Sequence, residues 1–322
     1  MTTPQFIQLY QHNAAAVAQE LLQGLSAPQA FTSPKYLYDA LGSRLFEAIT
    51  ELPEYDVTRN EAQAMALHTP AMIARLPSGA CWIDLGAGNC EKAGRLLGAF
   101  SAGRYVAVDI SVDFLRHALA CLQRQYPDLP MAGVGLDFSS GLSLPPALGL
   151  DPAQPRVLFY PGSSIGNFTP NESLVFLRQL HTSCGTAPGS GLFIGVDLLK
   201  DPAELEAAYD DALGVTAAFD LNLLLHINRL VGSDFAVRDW QHLSHFNAAQ
   251  SRVEMHLQAR QTLTVRWPGG ERAFAAGETI HTENAYKWRV PDFGALLRQA
   301  GFASTEFWTD PAERFAVFWA QA

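Results

Sequence analysis

Between residues 81 and 199 the chain contains five short apolar segments that alternate with helical stretches. Short apolar runs bounded by turn residues are typical of buried parallel strands. Strands that alternate with helices form βαβ units with right-handed crossovers. The sequence therefore predicts an α/β fold with a doubly wound, mostly parallel sheet, built on CWIDL (81–85), RYVAVDI (104–110), MAGVGLDF (131–138), RVLFYPG (156–162) and GLFIGVDLL (191–199).

The alternation ends at Lys200, and a different pattern follows. Residues 201–232 have a helical pattern. Two strand segments come next, at 251–267 and around 278–288, and their proximity in sequence favours an antiparallel sheet. We therefore predict a second, inserted region of the α+β class.

The end of the chain returns to the first pattern. A helix is predicted at 291–302, and two aromatic-rich strands follow it at 304–310 and 314–322. We expect these strands to add an antiparallel pair to one edge of the parallel sheet. The predicted organisation is an N-terminal helical segment (1–57, its first 30 residues as one amphipathic helix), a sheet domain (58–200 plus 288–322) and an inserted domain (201–287).

Charge and cysteine content exclude several classes of protein. The net charge is −10, and Lys and Arg never form a run, which disfavours a nucleic-acid or anionic-membrane partner. Four scattered cysteines lack zinc-ligand or disulfide-scaffold spacing, and the nine histidines show no metal-ligand spacing, so we expect no metal. Without a signal peptide or a long apolar run, we expect a cytoplasmic protein that acts on a small molecule.

A glycine turn, D-L-G-A-G-N (84–89), follows the first predicted strand directly. Gly86 and Gly88 let the backbone turn where a side chain would collide with a bound nucleoside. Glu91 stands where a dinucleotide-binding turn carries its third glycine. Because a nucleoside with a sulfonium group has no phosphate to hold, the turn favours S-adenosylmethionine.

Acidic residues end the next two predicted strands. Asp109 is placed to accept hydrogen bonds from ribose hydroxyls, and Asp137, beside Phe138, can accept from an adenine amino group. These strand ends would form a nucleoside cleft. The residues alone leave two alternatives: acids that only cap turns, and an NAD-dependent oxidoreductase, which the missing third glycine and the antiparallel C-terminal pair disfavour.

Eight longer segments are chemically unusual: YDALGSRLFEAITELPEYDVTR, DLGAGNCEK, VAVDIS, PGSSIGNFTP, GVDLLKD, AYDDALGVTAAFDLN, FNAAQSRVEMHL and GETIHTENAYKW. Through them the chain resembles, over nearly its full length, the histidine Nα-methyltransferase family of ergothioneine biosynthesis. The resemblance implies a two-domain, S-adenosylmethionine-dependent enzyme that methylates the α-amine of free L-histidine up to three times, to the betaine hercynine. We also expect a monomer.

The resemblance further implies where the sites lie. The cofactor site falls on Gly86, Lys92, Asp109, Asp137 and Phe138, with Gly88 in the same turn. The amino-acid pocket falls on Tyr38, Tyr55, Gly162, Asn167, Tyr209, Met255 and Glu283. In this family Asn and Tyr groups hold the amine and the carboxylate, and the Glu holds the imidazole. We therefore expect Asn167 and Tyr38 to serve the reaction itself.

The chain departs from the family pattern in two places. The family's T-E-x-S is T-E-N-A here, so Ala285 replaces a serine whose hydroxyl helps to hold the ring. The family's Tyr-Tyr-Pro is Y-D-V (55–57), which keeps only the first tyrosine. Histidine remains the expected substrate. The alternatives are another aromatic amino acid or a sulfur-modified histidine, and a protein that binds the cofactor without catalysis.

Overall fold

The protein is described from a computed structural model, which covers residues 3–9, 13–110, 112–138 and 141–322. Its largest sheet has eight strands. They lie side by side in the order β1 (Gln5–Gln8), β5 (Met131–Gly135), β4 (Arg104–Asp109), β3 (Cys81–Leu85), β6 (Arg156–Tyr160), β7 (Gly191–Asp197), β14 (Phe315–Gln321) and β13 (Ser304–Thr309). The first six strands are parallel, and β14 and β13 are antiparallel to their neighbours. The predicted fold class and the antiparallel edge pair are confirmed.

Helices cover both faces of this sheet, which explains why its strands are apolar throughout. All five residues of β3 are buried, and the successive residues Trp82 and Ile83 belong to two separate apolar cores, one on each face. Strands that are buried on both faces need apolar side chains at every position. The covering helices are α3 (Val57–Ile73), α4 (Glu91–Leu97), α5 (Val112–Gln125), α6 (Pro170–Cys184) and α9 (Val290–Gln299).

A second sheet of four strands stands beside the first. Its order is β2 (Ala30–Phe31), β12 (Thr279–Tyr286), β9 (Arg252–Ala259) and β8 (Trp240–Asn247). The predicted antiparallel pairing of β9 with β12 is confirmed. The predicted strand segment 251–267 is two strands, because its second half, β10 (Leu263–Trp267), forms a hairpin with β11 (Gly270–Phe274).

The helix predicted over 201–232 is interrupted, so this expectation was partly wrong. The structure has α7 (Pro202–Ala207) and α8 (Val215–Val231). Gly214 adopts a left-handed conformation with φ of 74°, and the Asp211 carboxylate accepts the first N–H groups of α8, from residues 215 and 216. A cap of this kind starts a new helix.

The prediction of one helix over the first 30 residues was also wrong within the described part of that range; residues 1, 2 and 10–12 lie outside it. Strand β1 pairs parallel with β5, α1 (Ala14–Ser26) follows, and β2 pairs parallel with β12. The ring of Phe6 occupies the space over Gly133, where a Cβ atom would lie 2.6 Å from it. Gly133 in β5 therefore leaves the space into which Phe6 of the edge strand β1 packs.

The two sheets meet where the chain crosses between them. Leu198 and Trp288 form a parallel bridge, and the Trp288 N–H donates to the carbonyl of Asp197 over 3.0 Å. Helix α8 packs against α1 and against α2 (Ala40–Thr50), on the side of the second sheet. In the part of the chain described, no helix combines the length and the apolar character that a membrane crossing requires.

Candidate active site

The carboxyl ends of the central strands form a crevice. Strand β3 has β4 on one side and β6 on the other, so the connections leave it in opposite directions. In open α/β sheets such a reversal leaves a gap outside the carboxyl ends, where ligands bind. The glycine turn follows β3 at this point, and the loop 161–167 follows β6.

The glycine turn has the conformation that the sequence predicts. Gly86 and Gly88 have φ of 69° and 51°, a region that favours glycine. The Asp109 carboxylate accepts a hydrogen bond from the Gly88 N–H over 2.9 Å. A Cβ atom on Gly86 would lie 3.7 Å from the ring of Phe138. The structure thus brings these four predicted cofactor residues, Gly86, Gly88, Asp109 and Phe138, close together at the carboxyl ends of the strands.

The remaining acids of the strand ends differ in their surroundings. Asp137 lies 3.5 Å from the ammonium of Lys35, which comes from the N-terminal segment. Asp84 is buried and accepts a hydrogen bond from the Tyr105 hydroxyl over 2.7 Å. Burial raises the pKa of Asp84 to about 7. Asp84 therefore lies inside the sheet, in the strand that precedes the glycine turn, whereas Asp137 lies beyond the carboxyl end of β5.

Glu61 joins the cofactor side of the crevice to the substrate side, and sequence reasoning missed it. This carboxylate lies on α3 and is almost fully buried. It accepts from the Lys92 ammonium over 2.5 Å and from the Gly162 N–H over 2.6 Å. Its partners are 31 and 101 positions away in sequence, so no local pattern could indicate the contact.

Next to this crevice a cleft opens between the two sheets, with about 600 Å³ of empty space counted to its open mouth. Its walls come from α2, α3, the loop 161–167, α8, β9 and β12 and from the segment before α8. All predicted residues of the amino-acid pocket line it: Tyr38, Tyr55, Gly162, Asn167, Tyr209, Met255, Glu283 and Ala285.

Three tyrosines give the cleft hydroxyl donors. Burial raises the pKa values of Tyr38, Tyr55 and Tyr209 well above the usual tyrosine value, and nearby carboxylates raise them further. All three therefore keep their protons at neutral pH. The rings of Tyr38 and Phe46 pack edge to face, as do those of Tyr55 and Tyr209. Fixed phenol groups of this kind can donate to an anion but cannot act as phenolate bases.

Glu283 is the acid on the opposite wall. It faces Met255 across the strand pair, directly after an irregularity between His281 and Glu283 that shifts the register of β12. Such an extra residue can redirect the side chains that follow it. Burial raises the pKa of Glu283 to about 8, with the charge of Asp220 as a second cause, while Lys287 lowers it. Among the described residues its Oε2 has no hydrogen-bond partner.

The two departures from the family pattern have different structural consequences. Ala285 lines the cleft two residues after Glu283, on the same side of β12. Asp56 instead binds the ammonium of Lys200 over 2.6 Å and the guanidinium of Arg314 over 3.1 Å. Burial alone would raise the pKa of Asp56, but its cationic and amide partners lower it. Position 56 therefore anchors the fold in this chain, and position 285 alters the cleft.

Lys287 is a second residue that sequence reasoning missed. The residue lines the cleft, and its ammonium lies 2.8 Å from a carboxylate oxygen of Asp197 and 2.9 Å from the hydroxyl oxygen of Tyr209. Both Lys287 and Asp197 are buried. The local sequence Y-K-W (286–288) does not indicate these contacts, because Asp197 and Tyr209 lie on other elements of the fold.

One histidine group does bring possible metal ligands together in space. Side-chain ligand atoms of His245, Glu254 and His256, on β8 and β9, lie within 4.8 Å of one another. The Glu254 carboxylate already contacts Arg252 over 2.7 Å and Asn247 over 2.9 Å. These three residues do not line the cleft. The expectation that the reaction needs no metal stays a prediction.

Comparison with known proteins places the chain in a family. Residues 17–322 match the family described as "Histidine-specific methyltransferase, SAM-dependent". A protein named histidine N-alpha-methyltransferase, from Mycolicibacterium smegmatis, is 38% identical over 310 residues, 94% of each chain. Ergothioneine biosynthesis protein 1 of Neurospora crassa is 30% identical over 85% of this chain and 31% of that protein.

Among solved structures, an S-adenosylmethionine-dependent methyltransferase from Clostridium acetobutylicum aligns with a TM-score of 0.48 at 10% identity, over 87% of this chain and 98% of the other. The family match confirms S-adenosylmethionine as the cofactor and removes the NAD-dependent alternative. The match extends over the parallel sheet, the cleft and the antiparallel end of the chain alike. The chain therefore belongs to the family of S-adenosylmethionine-dependent, histidine-specific methyltransferases.

Proposed function

We propose that this enzyme transfers methyl groups from S-adenosylmethionine to the α-amine of free L-histidine. The observation that carries the proposal is the convergence of all eight predicted pocket residues on one cleft. Glu61 links that cleft to helix α4, which follows the glycine turn, because its carboxylate accepts from the Gly162 N–H and from the Lys92 ammonium. We further propose that the sheet domain (58–200 plus 288–322) holds the cofactor, and that residues 201–287 with the N-terminal segment hold the amino acid.

The bound cofactor supplies a methyl group that its sulfonium already activates for displacement. The protein has to hold an uncharged amine in line with that methyl group and keep water away. We assign this role to Asn167 and Tyr38, whose amide and hydroxyl oxygens can each accept a hydrogen bond from the amine and leave its lone pair free to attack. Neither residue has to take the proton in the methyl-transfer step, because the amine enters it already deprotonated.

The two other ends of the substrate have complementary partners in the cleft. Tyr209 remains a hydroxyl donor at neutral pH and suits the α-carboxylate. Glu283, with an unpartnered oxygen, suits a ring N–H. With its raised pKa, Glu283 can be a neutral carboxyl at neutral pH and can donate its proton to an imidazole nitrogen. The two groups can therefore bind either as carboxyl and imidazole or, after the proton moves, as carboxylate and imidazolium.

Release of S-adenosylhomocysteine in the presence of each free amino acid tests the proposal. Histidine is expected to give the highest kcat/KM of the panel, with N-methylated histidine as the product by mass spectrometry. Turnover on another aromatic amino acid, or on a sulfur-modified histidine, without turnover on histidine would replace the substrate. Cofactor binding without any turnover would support the non-catalytic alternative.

Restoring the missing hydroxyl tests how the ring lies. Ala285→Ser is expected to lower KM for histidine about 3- to 10-fold, the range for one added neutral hydrogen bond, with kcat changed far less. Steady-state kinetics on the purified variant measure this. Ala285→Cys is the matched control, because a thiol has a similar shape but donates weakly. A serine variant whose KM equals that of the cysteine variant would show that no ring nitrogen faces position 285.

A further inference from the structure

The cleft contains a buried ammonium group for which the proposed chemistry gives no direct task. Lys287 is only 4% exposed, and its Nζ contacts the Asp197 carboxylate and the Tyr209 hydroxyl. A lysine side chain leaves water at a considerable cost unless its partners compensate it. Two partners of this kind at 2.8 and 2.9 Å hold the ammonium beside the cleft.

The backbone fixes Lys287 where the second sheet returns to the first. Its N–H donates to the carbonyl of Ser251, and the Ser251 hydroxyl donates to the carbonyl of Lys287. The next residue, Trp288, is bonded to the backbone of Asp197 at the end of β7. The ammonium therefore lies where the backbones of the two sheets are hydrogen-bonded to each other. These backbone bonds determine where the Lys287 side chain starts.

The contact determines where the proton of Tyr209 points. An ammonium group has three donors and no acceptor, so the Tyr209 oxygen must accept from Lys287. The O–H bond of Tyr209 then has to point away from Lys287. Tyr209 is also held at its backbone, because the His242 ring nitrogen Nε2 lies 2.8 Å from its carbonyl oxygen. A phenol fixed at both ends, whose oxygen accepts from a cation, is a strengthened donor.

The carboxylate partner of Lys287 has a second cationic neighbour. Asp197 is shared with a second lysine, since Lys200 lies 2.8 Å from its other oxygen. Lys200 in turn contacts the Asp56 carboxylate over 2.6 Å. Of the two ammonium groups on Asp197, therefore, the one that lines the cleft is Lys287.

We propose that Lys287 is a positioning residue that directs the Tyr209 proton at the α-carboxylate of the substrate and adds the positive charge that this carboxylate requires. The enzyme would thereby select α-amino acids over amines that lack the carboxylate. The inference rests on the proposed function, because it takes histidine as the ligand whose carboxylate meets Tyr209.

Calorimetric binding of histidine and of histamine, with S-adenosylhomocysteine present, tests the inference. Histamine keeps the ring and the amine but lacks the carboxylate. Lys287→Met is expected to weaken histidine binding about 10- to 100-fold, the range for losing a hydrogen bond to a charged group, and to change histamine binding less than about 3-fold. Tyr209→Phe is expected to show the same selective loss, and the double variant is expected to lose little more than either single one.

Lys200→Met is the matched control, because it removes the other lysine of Asp197 without touching Tyr209. It is expected to lower the melting temperature and to keep the ratio of histidine to histamine affinity. If Lys287→Met does not fold, Lys287→Gln keeps a donor without the charge and is expected to reduce the same ratio by a smaller factor.

Equal losses for both ligands in Lys287→Met would overturn the inference, because a merely structural lysine acts on both alike. So would an unchanged preference for histidine in a folded variant. Either result would leave the proposed function intact if the wild-type protein still methylates histidine. A wild-type protein that binds and methylates neither compound would overturn the proposed function and this inference with it.

Discussion

Replacing Glu283 by leucine is expected to raise KM for histidine about 100-fold and to leave the affinity for S-adenosylmethionine within about 3-fold of the wild type. The reason is that Glu283 is a buried polar group on the substrate wall with an unpartnered oxygen. Losing a hydrogen bond that involves a charged or strongly polar partner costs about 1.5–3 kcal/mol. Leucine has a similar volume, so the wall keeps its shape. Steady-state kinetics with each ligand varied in turn separate the two effects.

The same variant is also expected to change how the free energy of unfolding depends on pH, and a cooperative melting transition shows that it is folded. The pKa of Glu283 is raised to about 8 in the folded protein, from a reference value of 4.5. The folded state therefore binds more protons than the unfolded state between these values, and the contribution of Glu283 to stability is lost as pH rises through about 8. At pH near 9 the free energy of unfolding of Glu283→Leu is expected to exceed that of the wild type by an amount on the order of a few kcal/mol. The variant is therefore expected to have the higher melting temperature at that pH.

Met255→Leu is the matched control for this pair of measurements, since Met255 faces Glu283 across the strands but does not titrate. It is expected to keep the pH dependence of the melting temperature and most of the histidine affinity. A Glu283→Leu variant that is folded and has an unchanged histidine KM would contradict the assignment of the ring to this wall.

Asp109→Ala is expected to weaken binding of S-adenosylhomocysteine at least about 100-fold. The carboxylate would lose the ribose hydroxyls that we assign to it, and the Gly88 N–H would lose its acceptor, which holds the glycine turn in place. Because the turn contacts the nucleoside directly, both losses weaken the same ligand. Isothermal titration calorimetry measures the affinity without requiring catalysis.

Asp151→Ala is the matched control for Asp109. Asp151 also accepts one backbone N–H, from Ala153 over 2.8 Å. It precedes β6, however, and so lies near the amino ends of the parallel strands, whereas Asp109 lies at the carboxyl end of β4. Its removal is expected to leave the affinity for S-adenosylhomocysteine unchanged. Equal affinities for the two variants would show that the end of β4 does not bind the cofactor.

The parts of the fold that could be predicted from sequence are those where burial dictates the residue type. The strands of the parallel sheet are apolar throughout because both faces are covered, so β3 and β7 stand out as continuous apolar runs. Strand β8 was missed because only one face is buried and histidines occupy both faces, which weakens the alternation. The first strand was missed because its stability comes from Phe6 packing over Gly133, a contact across more than 120 positions.

The site shows the same division. The glycine turn and the acids at strand ends could be predicted because they are local features of a strand and the loop that follows it. The pocket residues were expected only through the family resemblance, and the structure places them all around one cleft. Glu61 and Lys287 could not be predicted from the sequence, since each acts through partners on other elements. Residues that position others give no local signal.

The central claim is that the α-amine of histidine receives the methyl group of S-adenosylmethionine in this cleft. The most direct measurement incubates the purified enzyme with histidine and a cofactor labelled isotopically in its methyl group, and locates the label in the product by NMR. The account predicts labelled methyl groups on the α-nitrogen only, and much slower labelling by the Asp109→Ala variant at a cofactor concentration that just saturates the wild type. A label on a ring nitrogen, or histidine that remains unlabelled while the enzyme binds the cofactor, would contradict it.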